Sequence, residues 1–230
     1  MTLQAWLQER QYATPYHWRQ RPNDEREYQL RTQLVLRLAR LAGSDDALRI
    51  SSPRLLDIGC GDARFTADAS LRARVVGVDA SKRALGHARE LAPSARFLAS
   101  GAAALPFRSN TFDIVTLLDV IEHIPDADES RVIDEAWRVL RPGGRLVVST
   151  NTDRSARELK HFRHYSVARF RSLFDRFERL ELAGLIPYFP TLKVWMAAPL
   201  VWRLTTSRIR TCAPEAAHVI LGAAIKPIID

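Results

Sequence analysis

The chain has 230 residues, 47% of them hydrophobic and 26% charged, with a formal net charge of +8. That length and balance fit one sizeable α/β domain with small additions and exclude a disordered or fibrous chain. The two cysteines, Cys60 and Cys212, have neither CxxC spacing nor a His-rich neighbourhood, which excludes a disulfide framework and leaves a reducing compartment as the expectation.

MTLQAWLQER, the N-terminus, lacks the basic start and continuous apolar stretch of a signal peptide, so a cytoplasmic location is expected. QYATPYHW, residues 11–18, is aromatic and irregular; it could fold over a ligand pocket or pack on the core. Asn23 to Leu41 reads as a helix. Asp24 can cap it, Glu27 stands at the capping-box offset, Leu30, Leu34, Leu38 and Leu41 form one stripe, and Gly43 offers a stop.

From Arg54 a regular alternation begins. Apolar runs at Leu55–Ile58, Val75–Val78, Phe97–Leu98, Ile114–Leu118 and Leu146–Val148 read as buried strands. Between them, Ser81 can cap a helix with Ala84, Leu85, Ala88 and Leu91 on one face. Val132, Ile133, Ala136, Val139 and Leu140 mark another, closed by Arg141-Pro142-Gly143-Gly144. Strands alternating with helices predict an α/β, Rossmann-like doubly wound fold, its mostly parallel sheet covered on both faces. Ser166 can cap a further helix with Phe170, Leu173, Phe174 and Phe177 inward, and FERLELAGL reads as a strand. The chain divides into an N-terminal helical cap (1–50), a core (51–184) and an apolar C-terminal extension (185–230).

RLLDIGCGDARFT, residues 54–66, is a strand followed by a Gly-x-Gly turn, which lets backbone approach a ligand at the carboxyl edge of the sheet. Asp79 ends the second strand, where an acid binds ribose hydroxyls in nucleotide folds. Three details disfavour a pyrophosphate. Arg64 replaces the third glycine of GxGxxG, Asp62 follows the turn directly, and Asp57 precedes it. Like charges about 4 Å apart at an effective dielectric of about 20 cost on the order of 4 kcal/mol. A cofactor with a sulfonium and an ammonium meets these acids favourably, so an NAD(P) oxidoreductase is the weakest reading.

LLDIGCGDARFT, VVGVDAS, LPFRSNTFDIVTLLDVIEHI and RVLRPGGRLVVST, in this order, resemble the signature segments of class I S-adenosylmethionine (SAM)-dependent methyltransferases. They are most similar to the branch with quinone-biosynthesis and other small-molecule enzymes. The resemblance covers about Arg54 to Thr150 and implies a seven-stranded sheet with an antiparallel last strand. It implies SAM as cofactor, with Asp57, Gly59, Cys60 and Gly61 at the methionine end and Asp79 and Ala80 at the ribose. Gly101 and Ala102 would lie beside the adenine, and Asp119 and Val120 where the fourth strand opens into the site. Gly101 departs from the pattern, which usually places there an acid that accepts from the adenine amino group.

Methyl transfer is an in-line displacement, and an acceptor hydroxyl can need a base. Glu122 and His123 are the candidates, against a purely structural role for the pair in shaping the loop. In HFRHYS, His161, Arg163, His164 and Tyr165 could bind an anionic or hydroxylated acceptor or pack the loop. No acidic cluster beside these histidines completes a metal site, so no metal is expected. The tail LIPYFPTLKVWMAAPLVW is too interrupted to span a membrane. Trp195 and Trp202, with Arg203, Arg208 and Arg210 following, could touch a membrane surface, form a lid or dimer contact, or complete the core. The leading reading is a SAM-dependent methyltransferase acting on a small-molecule or lipid-linked acceptor, not DNA. An RNA methyltransferase, lacking any separate RNA-binding module, and a non-catalytic SAM-binding scaffold are the alternatives; oligomeric state is open.

Overall fold

The computed structural model describes residues 3–18, 22–41, 52–155, 158–188 and 208–228. Two helices, α1 (Leu3–Gln11) and α2 (Pro22–Leu38), precede the alternating part. That part runs β1 (Arg54–Ile58), α3 (Arg64–Ser70), β2 (Arg74–Asp79), α4 (Lys82–Leu91), β3 (Arg96–Ala99), β4 (Phe112–Leu118), α5 (Glu129–Val139) and β5 (Leu140–Asn151). The chain closes with α6 (Val167–Ser172), β6 (Glu178–Tyr188), β7 (Arg208–Cys212) and β8 (Val219–Ile225). All the strands join one sheet in the order β3-β2-β1-β4-β5-β8-β6-β7.

Both faces of the sheet are covered because successive side chains of each strand point to opposite sides. Leu55 of β1 packs with Leu34, Val35 and Leu38 of α2, while Leu56 and Ile58 pack with Val132 and Ala136 of α5 and Phe170 of α6. The α5 stripe is buried as its spacing predicts, through Val132, Ile133, Ala136 and Val139; each of its larger side chains contributes about 2 kcal/mol by leaving water. The predicted caps also form. Ser81 accepts from the Ala84 N–H at 3.0 Å and Ser166 from the Arg169 N–H at 3.2 Å.

Three expectations are corrected. First, among the described residues the sheet has eight strands, not seven. The last strand is antiparallel, as expected, but it slots between β5 and β6, and the additional strand β7 lines the outer edge of β6. Second, the sheet does not end near residue 184. VILGAAI in β8 is a buried interior strand, paired with β5 from Arg145↔Ile225 to Asn151↔Val219, so the proposed C-terminal extension carries part of the core. Third, α2 stops at Arg40 rather than Gly43. Arg40 takes a left-handed φ of 56° and lets the Leu41 N–H reach back to the Leu36 carbonyl at 2.7 Å, which satisfies an end carbonyl of the helix. Helix α2 begins at Pro22, so Asp24 lies inside its first turn and is not its cap. Gly43, Trp195, Trp202 and Arg203 lie outside the described residues, as does the Arg208 side chain. Among the described residues no helix is long and apolar enough to cross a membrane.

Candidate active site

The order of strands reverses at β1, which has β2 on one side and β4 on the other. In an open α/β sheet that is where a crevice opens beyond the carboxyl ends of the strands. The turn after β1 hangs from β2: the N–H groups of Gly59 and Cys60 both donate to the Val78 carbonyl, at 2.7 and 3.0 Å. Gly59 has φ +73°, and any Cβ there would overlap Val120 Cγ2. Gly61 has φ +55°, and a Cβ would come to 2.6 Å from the Tyr12 hydroxyl. Only glycine fits either position without strain.

Two cavities meet at Gly59. The first, of about 560 Å³, is lined by Asp57, Gly59, Cys60 and Asp119 and closed by Tyr28 and Arg31 of α2. The second, of about 440 Å³, is lined by Gly59, Asp79, Ala80, Gly101, Ala102 and Val120, with His123 on its wall. Gly61 lies between them and donates its N–H to Asp79 Oδ2 at 2.9 Å, while Asp79 Oδ1 accepts from the Ser81 N–H at 2.8 Å. Each carboxylate oxygen keeps a second acceptor direction. Burial holds the Asp79 carboxyl above its ordinary pKa, partly offset by these two N–H donors.

In the first cavity Asp57 is buried and accepts from Thr66 Oγ1 at 2.6 Å and Thr116 Oγ1 at 2.8 Å. Burial raises its pKa to about 6 against those two donors. Burial likewise pushes the Cys60 thiol up, so it stays protonated and inert. Asp119, at a left-handed φ of 55°, accepts from Ser149 Oγ at 3.2 Å and pairs with Arg31. Arg31 in turn donates to Ser149 Oγ at 2.9 Å. This arginine escaped the sequence reading, because on α2 it is simply the residue beside an apolar stripe.

Residues 11–18 lie over the turn, the first of the two roles open to them. Asp62, fully buried, accepts from the His17 N–H at 2.8 Å and lies 2.7 Å from His17 Nδ1; its backbone carbonyl accepts from Trp18 Nε1 at 2.9 Å. Arg64 donates to the His17 carbonyl and to Glu25, and stacks 3.8 Å from the Tyr28 ring centroid. Of the three side chains that argue against a phosphate, Asp62 and Arg64 are therefore engaged by the N-terminal segment.

His123 Nδ1 lies 3.1 Å from the Lys160 carbonyl. A carbonyl only accepts, so Nδ1 carries the proton and Nε2 the lone pair. Burial lowers the His123 pKa, keeping the ring neutral at pH 7. Glu122 lines neither cavity. It is fully buried, accepts from Thr150 Oγ1 at 2.8 Å and Asn151 Nδ2 at 3.2 Å, and has its pKa raised to about 8 by burial and then by the charge of Asp119.

The HFRHYS residues also stay out of both cavities. Arg163 donates to Asp126 at 2.7 Å and to the Ile121 and Ile124 carbonyls at 2.9 and 2.7 Å, and the buried Tyr165 hydroxyl bonds Glu129. His161 Nδ1 and His164 Nε2 are 2.9 Å apart. These contacts pack the loop against the β4–α5 connection. Among the described residues, Glu122, His123 and His161 bring one oxygen and two ring nitrogens within 4.8 Å of one another. Glu122 is thus a single acid beside these histidines, where the sequence reading found no acidic cluster to complete a metal site.

Residues 56–148 match the family profile described as a methyltransferase domain. Residues 56–148 therefore form a methyltransferase domain, similar to those of SAM-dependent enzymes. SAM is the cofactor of such domains, and the residues present fit it: any Cβ on Gly59 or Gly61 would collide, and Asp57, Asp79 and Asp119 line the two cavities. A probable SAM-dependent methyltransferase of Mycolicibacterium smegmatis is 35% identical over 106 residues, 45% of this chain and 40% of the relative. The ubiquinone biosynthesis O-methyltransferase of Paraburkholderia phymatum is 33% identical over 117 residues, 48% of this chain and 50% of the relative. The chain thus matches about half the length, or less, of these curated relatives. Among solved structures, the N-methyltransferase NodS of Bradyrhizobium japonicum, in complex with S-adenosylhomocysteine, superposes with a TM-score of 0.69. It is 18% identical, covering 99% of this chain and all of the other. YcgJ of Bacillus subtilis gives 0.64 at 18% identity, over 87% of this chain and 100% of that one. At such identity these structures support the shared fold of the methyltransferase domain and nothing finer.

Proposed function

We propose that this chain transfers a methyl group from SAM to a hydroxylated small molecule, with or without a lipid tail. The observation that carries the reading is the pair of cavities meeting at Gly59, acids on both sides and Arg31 at the far end of one. When bound, SAM supplies an electrophilic methyl on a sulfonium. Asp79 accepts from the ribose hydroxyls with its remaining lone pairs. Asp57 and Asp119 would hold the positive methionine end, and Arg31, beside Asp119, would hold its carboxylate. Residues 11–18 exclude water from the turn.

The hydroxyl reading rests on two things: the relatives whose names specify O-methylation, and His123, on the wall of the second cavity with its Nε2 lone pair free of the Lys160 contact. In that reading Nε2 would take the acceptor's O–H proton, and SAM would supply the methyl group, its S–CH3 bond breaking to leave S-adenosylhomocysteine. Glu122 positions the loop through Thr150 and Asn151 rather than touching the acceptor.

Titration calorimetry of the purified chain against SAM and S-adenosylhomocysteine, with NAD and NADP as controls, tests the cofactor. Micromolar binding of the first pair alone is expected; binding of a dinucleotide instead, or of neither pair, overturns the reading. Labelled methyl transfer to a panel of phenols and catechols, plain and prenylated, then tests the acceptor class. Transfer to amines alone would remove the role given to His123.

A further inference from the structure

The second cavity has an unusual fourth wall. Its other walls come from the ends of β1 to β4 and from the β4–α5 connection, and this one from Gln8, Glu9 and Tyr12 at the end of α1. On this helix Leu3 and Trp6 are 63% and 42% exposed, while the half-buried Gln8 and Glu9 line the cavity. A helix that presents apolar side chains to water and polar ones inward is explained when what it covers is itself polar.

We infer that Glu9 is a cofactor-binding residue that, with Asp79, reads the ribose hydroxyls, while the purine 6-position is left unread at Gly101. This rests on the SAM reading above. Asp79 already accepts one backbone N–H on each oxygen, from Gly61 and Ser81. Glu9 is close enough that its charge, after burial, is among the influences raising the Asp79 pKa, and its ion pair with Arg83 is at 4.0 Å, the outer limit. Two carboxylates facing one cavity repel unless donors come between them. A vicinal diol brings two hydroxyl donors on adjacent carbons.

The base side has no such group. Gly101 is exposed, and a Cβ built on it meets nothing within 4 Å. The neighbouring Ser100 hydroxyl lies 3.1 Å from both the Gly101 and Ala104 carbonyls, within its own turn. The other acid on the cavity wall, Asp128, pairs with Arg131 at 3.2 Å. Recognition is therefore weighted toward the sugar.

The test is calorimetry on the full chain with S-adenosylhomocysteine, its inosyl counterpart (6-oxo in place of 6-amino) and its 2′- and 3′-deoxy analogues, using wild type and Glu9→Ala. The inosyl compound is expected to bind within about threefold of the adenosyl one. At least one deoxy analogue and the Glu9→Ala variant should each lose about tenfold, the scale of a hydrogen bond to a charged group. Combining the variant with that analogue should add little, since both remove the same contact. An unchanged melting temperature of ligand-free Glu9→Ala keeps the comparison clean; if it falls, Glu9→Gln, which preserves shape, replaces it. Unchanged affinity in the Glu9 variant, or a tenfold loss with the inosyl compound, overturns the inference and leaves the SAM reading standing. Failure of wild type to bind S-adenosylhomocysteine overturns both.

Discussion

The glycine turn and the histidine loop carry similar side chains beside the same edge of the sheet, acids and bases among aromatics, but differ in what those side chains face. Asp79 and Asp119 each make protein contacts and still line a cavity. Arg163 and Tyr165 are buried with their polar atoms bound to Asp126, Glu129 and loop carbonyls. Residue type and position along the chain suggested a binding role for both. Whether a group keeps hydrogen-bonding capacity toward open space decides between them, and that depends on partners tens of residues away.

The sharpest way to test this contrast is at Gly59. Alanine there combines a left-handed φ with overlap on Val120, which should destabilise the fold by about 3 kcal/mol and abolish S-adenosylhomocysteine binding, read by melting and calorimetry. Next, Arg163→Met should also cost about 3 kcal/mol by stranding the buried partners of the guanidinium, while cofactor affinity in the folded protein stays within about twofold. A large affinity change at constant melting temperature would make the histidine loop a binding element after all. Asp79→Asn should do the reverse: affinity falls about tenfold with stability nearly unchanged. The smallest effect concerns pH. Burial, then the charge of His123, lowers the His161 pKa to about 4. The unfolded chain then binds more protons than the folded one between about pH 6.5 and 4, so stability should fall as pH drops through that window. His161→Gln should flatten that part of a melting-temperature profile.

What the sequence made legible was local. The Gly59 and Gly61 turn, the Ser81 and Ser166 caps and the α5 stripe each depend on spacings of a few residues. Arg31 reaches Ser149 across 118 positions and His17 reaches Asp62 across 45, and no periodicity announces either contact. Arg40 was missed for another reason: glycine is the usual left-handed stop, and an arginine in that conformation carries no composition signal. Strand β8 falls within the extension that the sequence marked only as apolar, and its place between β5 and β6 is a matter of topology, not pattern.

That place has a consequence for synthesis. Strand β5 and the sheet edge built on β6 have no direct pairing; β8 joins them, and its residues follow β5 by roughly seventy positions. During translation the glycine turn and its neighbouring strands leave the ribosome with β5 still open on one side, a buried surface without its partner. The ribosome therefore delivers the keystone of the sheet late, and a nascent chain halted before residue 219 would present that edge to chaperones or to another copy of itself.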